Sequence, residues 1–484
     1  MELPRFVVLK SEMNGKYLCY CKKNGGQENS GLFQFSGKNV VSPYVKFEVE
    51  LANSSNEKHP LVHIKCCYNK YWVIKLFDDQ QLIVAGASKP EENKSKSSCT
   101  LFEPVYVDDM PNPKRVRFFH VQLKKYVCLW GNAPSNYDSC LKVGSATPEK
   151  DKSDVCTIMD WQSLLILPKH IALKGDNDLY LSARWIEGHP YLQFACSDIG
   201  DATVGNKVST NGDGSISIWS NTHQKFWRRS PNWIWADSNA PSSDDLDTLF
   251  HAVKVDDNVI ALRNLGNNNF CSRLTTEGKE NCLNAAVNTI TREARLKVEE
   301  LVISRTIYNM DFHLADANVH DEKPITMATG ESENTSEQTN SFVLKLAYVE
   351  TRTSTWSSSV SLKLGAKTTI EVSCIPLIVN GKIEISAEFS GAYQWGETQT
   401  WTSTVETAYT AVVPPMTKVK VRLLATKGTC SVPFRYTQRD NILTDGEAVI
   451  ESMEDGVYSG INYFNFKFET EHQPLHGSKT SAAF

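Results

Sequence analysis

No stretch of this 484-residue chain stays apolar for the roughly 20 residues that a transmembrane helix needs. Its opening, Met1-Glu2-Leu3-Pro4-Arg5, lacks the charged-then-apolar start of a secretory signal. If this is the full translation product, the expectation is a protein made in the cytosol and soluble there. Cationic excess is also missing. The 51 Lys and Arg stand against 56 Asp and Glu, a net charge of −5, which argues against the basic face that nucleic-acid binding requires. Thirteen cysteines are scattered. Cys19-Tyr20-Cys21 and Cys66-Cys67 are the only close pairs, and neither has zinc spacing, so reduced, buried thiols and no metal are expected. No G-x-S-x-G, H-E-x-x-H, Walker or Rossmann run occurs. Asp108-Asp109 and Asp256-Asp257 are paired carboxylates, but neighbours on a strand point to opposite faces and cannot straddle one bond. Neither an enzyme nor a bound cofactor is expected.

What the chain does have is repetition. Thr100-Leu101-Phe102-Glu103-Pro104-Val105-Tyr106-Val107-Asp108-Asp109 returns as Thr248-Leu249-Phe250-His251-Ala252-Val253-Lys254-Val255-Asp256-Asp257, and Lys70-Tyr71-Trp72 is answered by Lys225-Phe226-Trp227. Two homologous domains in tandem follow. Each repeats internally three times: Gly15-Lys16-Tyr17-Leu18, Asn69-Lys70-Tyr71-Trp72 and Lys124-Lys125-Tyr126-Val127 in the first, with counterparts at Tyr180-Leu181, Phe226-Trp227 and Phe270-Cys271 in the second. Every unit is a short strand, a polar turn, and a strand opening on an aromatic or apolar residue. Three such hairpins, none able to bury its own apolar face, close into a β-trefoil barrel, which also removes exposed edges. The expected domains are 1–157, 158–290 and 291–484. Thr291 to Glu300 suits either a strand or a helical linker.

Beyond residue 290 the chain turns rich in Ser and Thr, around 351–359 and 398–404. Thr favours strands, so an all-β, elongated third domain is expected. Within it, 360–393 reads as an amphipathic hairpin. Val360, Leu362, Leu364, Ile370 and Val372 alternate with polar neighbours, as do Ile383, Ile385 and Phe389 after the turn. Between the runs lies an apolar tip, Ile375, Pro376, Leu377, Ile378 and Val379, closed by Asn380-Gly381. A membrane β-barrel needs this pattern over about ten residues per strand. A half-buried strand of an ordinary sheet has it too.

The tandem resembles amaranthin-like lectins, whose subunit is two β-trefoils, in Asn69-Lys70-Tyr71-Trp72, in Lys225-Phe226-Trp227 with Asn232-Trp233-Ile234-Trp235-Ala236-Asp237, and in Tyr191-Leu192-Gln193-Phe194. The last third resembles an aerolysin-type pore-forming module in its Ser/Thr-rich strands, its hairpin and Val413-Pro414-Pro415-Met416-Thr417-Lys418-Val419-Lys420-Val421. The first resemblance implies a galactose or N-acetylgalactosamine ligand, held where the first trefoil of one subunit meets the second of another in a dimer. Asn69, Lys70, Tyr71 and Trp72 would face Trp185, His189, Tyr191 and Gln193 across that cleft. Tyr71-Trp72 at a strand start suits a barrel core equally well. The second resemblance implies docking on a target-cell membrane, assembly of a homo-oligomeric ring and insertion of the hairpin, with a role in plant defence. A non-lytic glycan-binding or storage lectin whose third domain only oligomerises it is the alternative, and a trefoil scaffold for a protein partner a further one.

Overall fold

The aromatic that opens the second strand of each repeat precedes a residue aimed into a barrel. Leu18, Trp72, Val127, Leu181, Trp227 and Cys271 are all buried. At five of these six dipeptides, Tyr126-Val127 being the exception, the ladder shifts register. Such β-bulges bend a strand and sharpen its twist, as closing a short-stranded barrel demands. A computed structural model describes residues 3–21, 31–56, 59–77, 79–108, 114–134, 137–358, 368–443, 446 and 448–475. Its first two domains are each a 12-stranded sheet of short strands.

In the first barrel Phe6–Ser11 pairs with Cys156–Asp160. In the second His170–Lys174 pairs with Leu296–Glu300, Ile171 opposite Glu300. The barrels therefore close beyond the expected limits of 157 and 290. Thr291 to Glu300 is no helical linker: Leu296 and Val298 alternate into the core on the closing strand. Trp72 fills the first core, with the rings of Phe33, Phe47, Phe102 and Phe118 at 5.4–5.8 Å. Trp227 fills the second, its indole N–H donating to Asn206 Oδ1 at 3.2 Å. A buried indole N–H without a partner costs stability, a cost that Trp227 avoids and Trp72, whose N–H is buried without one, does not. Among the described residues no cysteine is in a disulfide, and burial pushes the Cys128, Cys140 and Cys156 thiols up to about 12.

The chain divides into two compact units: one holds both barrels and residues 436–455, the other residues 310–357, 370–435 and 456 onward. The Ser- and Thr-rich runs of the second unit are strands. Asn340–Ser358 and Thr398–Val413 pair without a break from Asn340↔Val413 to Thr355↔Thr398. In sheet order they lie beside the strand Ala448–Pro474 and then Thr417–Ile442. Trp356 and Tyr458, both fully buried, anchor an aromatic core with Phe434 and Tyr393, and Ser354 and Tyr458 share a hydrogen bond of 2.9 Å.

Candidate functional site

Val360, Leu362 and Leu364 lie outside the described residues. The rest of the hairpin forms two nested pairs: Thr369–Val372 with Gly391–Gln394, and Ile375–Val379 with Lys382–Ser386. Asn380 (φ 49°) and Gly381 (φ 76°) make the turn. Two successive positive φ values define the type I′ turn that Asn-Gly favours. Thr368, Ile370 and Val372 are buried while Thr369, Glu371 and Ser373 are exposed, so alternation holds here. One expectation is corrected. Ile375–Val379 is a paired strand rather than a tip, and only Asn380-Gly381 turns. Pro376 is tolerated because it stands in register with Ile378, whose N–H points away from the partner strand toward Asn462. The missing donor is therefore on the side that the two-residue hairpin leaves unpaired.

The register carries the main result. Ile378 lies opposite Ile383 and Pro376 opposite Ile385, whereas Leu377 faces Glu384 and Val379 faces Lys382. Side chains directly opposite share a face, so the even-numbered apolar run before the turn joins the odd-numbered one after it. Ile375, Leu377 and Val379 fall on the other, polar face. In this form Ile370, Val372, Ile375 and Ile378 are buried, Leu377, Ile383 and Phe389 half-buried, and Val379 and Ile385 exposed.

Three contacts seat the hairpin within its own unit. The Asn462 side chain bonds both the N–H and the carbonyl of Ile378. Gly428 leaves room beneath: a Cβ there would stand 2.8 Å from Phe464 Cε1 and 3.1 Å from Ile378 Cδ1. Arg352 reaches over Phe389 on the return arm, 3.2 Å from the ring centroid, and 5.4 Å from that of Trp401. None of Asn462, Gly428 or Arg352 stands out in the sequence, because each is defined by a partner far along the chain.

The expected sugar contacts separate. Trp72 is 1% exposed and packed against four phenylalanine rings, so its assignment as a contact is corrected to core. Tyr71 is buried, its hydroxyl donating to Glu50 Oε2 at 2.7 Å. Asn69 makes a left-handed turn (φ 56°), and Lys70 Nζ donates to Ser88. In the second barrel Ile186 and His189 close the Glu187-Gly188 turn of one hairpin, with Trp185 next along, opposite Pro190. Trp185 is 70% exposed, with the His223 ring edge-on at 5.3 Å; burial lowers the pKa of His223. His189 lies flat on Trp235, 4.2 Å away and 10° from parallel. Tyr191 is buried and buttresses Trp235 at 5.7 Å, so it supports the surface rather than forming it. Gln193 is committed to the Glu280 carbonyl at 2.9 Å. Trp235 and His223 were missed as site residues, although Trp233-Ile234-Trp235 has the strand alternation that would have placed two indoles on one face. The exposed Trp185 indole and, on the opposite face of the hairpin, the His189–Trp235 stack each offer an apolar face for the C–H side of a sugar ring.

A family model for the agglutinin domain matches residues 1–160 and 165–301, and one for the aerolysin toxin matches 286–441. No curated protein matches the chain. Among solved structures, a lamprey immune protein is similar at 12% identity over 63% of this chain and 91% of its own, with a TM-score of 0.30. An aerolysin-like protein of Bombina maxima is similar at 16% identity over 35% and 99%, TM-score 0.25. The parasporin-2 toxin of Bacillus thuringiensis, described as recognising cancer cells, is similar at 16% identity over 43% and 87%, TM-score 0.23.

Proposed function

Because the chain belongs to the agglutinin-domain family and carries an aerolysin toxin module behind its two lectin domains, we propose that it docks on glycan-bearing membranes and then inserts its hairpin. Galactose-type glycans, N-acetylgalactosamine first, are the ligand, taken on the second barrel at the exposed Trp185 ring, with the His189–Trp235 stack on the opposite face as a second platform. Chains gather in a ring, and each gives two strands to a closed barrel, since open edges do not survive in lipid. Several weak lectin sites in one ring bind a glycan-coated surface with gains of about 10²–10⁴ from effective concentration.

The observation that carries this reading is the hairpin register. Residues Pro376, Ile378, Ile383 and Ile385 share one face, with Glu384 and Lys382 on the other. A slip by one residue would send the charges into lipid, at about 2–4 kcal/mol for a basic residue near the midplane. The energetics favour a latch. Transfer of an apolar side chain out of water is worth roughly 2 kcal/mol, but Ile370, Val372 and Ile378 are already buried against the sheet. Insertion therefore gains little from those three. The balance rests on exposed residues such as Ile385, on barrel closure, and on the contacts that seat the hairpin.

The test is a disulfide tying strand 375–379 to strand 448–474. The locked protein is expected to be retained on a galactose matrix yet to leave glycolipid vesicles intact until a reductant frees it. Lysis by the locked, oxidised protein would overturn the assignment of the hairpin.

A further inference from the structure

A cavity of about 370 Å³ lies between the seated hairpin and the sheet. Leu377, Val379, Phe464 and Phe466 give it apolar walls, and Arg352 and Glu350 are its charged ones. Its size falls within the range of small-ligand sites, with room for a head group and part of one acyl chain.

Arg352 is what marks it as a site. Its Nε is buried without a hydrogen-bond partner, and its guanidinium is held between the rings of Phe389 and Trp401. Among the described residues it makes no ion pair within 4.0 Å. Burial lowers its pKa, and Tyr458, Tyr393, Glu350 and Glu388 offset only part of that. Arg352 is half-buried, so it is partly desolvated without a hydrogen-bonded counter-charge, which carries a cost, and its planar guanidinium presents a fork that fits a carboxylate. Glu350, on the same wall, opposes any second negative charge.

We propose that this cavity binds a single-chain amphiphile with one negative charge, a fatty carboxylate being the simplest, and that its occupancy holds the hairpin in place. The head pairs with Arg352 while the alkyl chain lies against Leu377, Val379, Phe464 and Phe466. Because the walls come from both hairpin and sheet, the site exists only while the hairpin is seated. A ligand of one state alone stabilises that state, so the occupant opposes release. This second half rests on the hairpin being the membrane element.

The experiment titrates dodecanoate, below its micelle concentration, into the full chain by calorimetry, beside dodecanol and dodecyltrimethylammonium. Arg352→Gln and Val379→Trp (the second fills the cavity from its rim) are compared after melting curves and retention on a galactose matrix confirm that each is folded. Binding by dodecanoate alone, weakened at least tenfold in both variants, is expected. Equal binding of the cationic amphiphile, or unchanged binding by Arg352→Gln, overturns the site. In dye release, dodecanoate at 100 times its dissociation constant is expected to slow lysis about 100-fold, and unchanged lysis by the occupied protein overturns the holding role. Binding by a protein that lyses no vesicle under any condition would count against the pore and leave the site standing.

Discussion

Asn462 holds Ile378 by its backbone: Oδ1 accepts from the Ile378 N–H at 3.0 Å, and Nδ2 donates to its carbonyl at 2.9 Å. The side-chain amide thus stands in for one residue of a neighbouring strand. It satisfies the outer edge of strand 375–379 near the turn without continuing a ladder. A ladder would have to be unzipped bond by bond, whereas this attachment is a single side chain. That suits the release proposed for the hairpin.

Replacing Asn462 with Ala leaves the Ile378 N–H and carbonyl buried without partners, a cost of about 1–3 kcal/mol to the seated form. At 1.4 kcal/mol per factor of ten, vesicle dye release by the variant is expected to quicken roughly tenfold. Retention on a galactose matrix, expected of the barrels, should be unchanged.

Gly428→Ala attacks the same seat from below, where the new methyl meets both Phe464 and Ile378. Amide hydrogen exchange at Ile378 is expected to speed up at least tenfold, with exchange in both barrels unaltered. Equal protection in variant and parent would show that the seat yields without loosening the hairpin.

Trp72 and Trp185 should part company. Trp72→Ala opens a cavity among four phenylalanine rings and is expected to cost about 3–5 kcal/mol, seen as a large fall in the melting temperature of the first barrel. Trp185→Ala removes an exposed ring, so its melting curve should match the parent while affinity for N-acetylgalactosamine falls tenfold or more.

His120 gives the first barrel a pH limit. Its Nδ1 accepts from the Leu123 N–H at 3.2 Å, so Nε2 carries the proton and donates to the Cys99 carbonyl at 3.3 Å. The ring is fully buried, and burial lowers its pKa to about 4, against about 6.5 when unfolded. Above pH 6.5 its contribution to stability is complete. Between pH 6.5 and 4 the unfolded chain takes up a proton that the folded ring refuses, so stability falls as pH falls, by on the order of 3 kcal/mol. Melting curves from pH 7 to 4 should show the loss, and His120→Gln should flatten that slope.

The barrels were legible in the sequence because their signal is local and repeated. An aromatic followed by a core residue recurs six times, and the tandem match of Lys70-Tyr71-Trp72 with Lys225-Phe226-Trp227 finds both indoles in equivalent cores. The same repetition misled about function: a Tyr-Trp pair looks like a sugar platform until its depth in the barrel is known. The alternation of the hairpin was legible too, but five apolar residues in a row, Ile375 to Val379, erase period two and read as a tip. Only the pairing with Lys382–Ser386 restores the register. Asn462, Gly428 and Arg352 left no trace, since a buried Asn gripping a backbone 84 residues away has no pattern along the chain.

The most direct measurement is dye release from vesicles carrying galactose-type glycolipids, with free N-acetylgalactosamine as competitor. Release by the full chain that the free sugar suppresses is expected, since docking must precede insertion. Release of equal rate from vesicles without the glycolipid, or binding to the glycolipid with no release under any condition, would contradict the union of lectin docking and hairpin insertion in one chain.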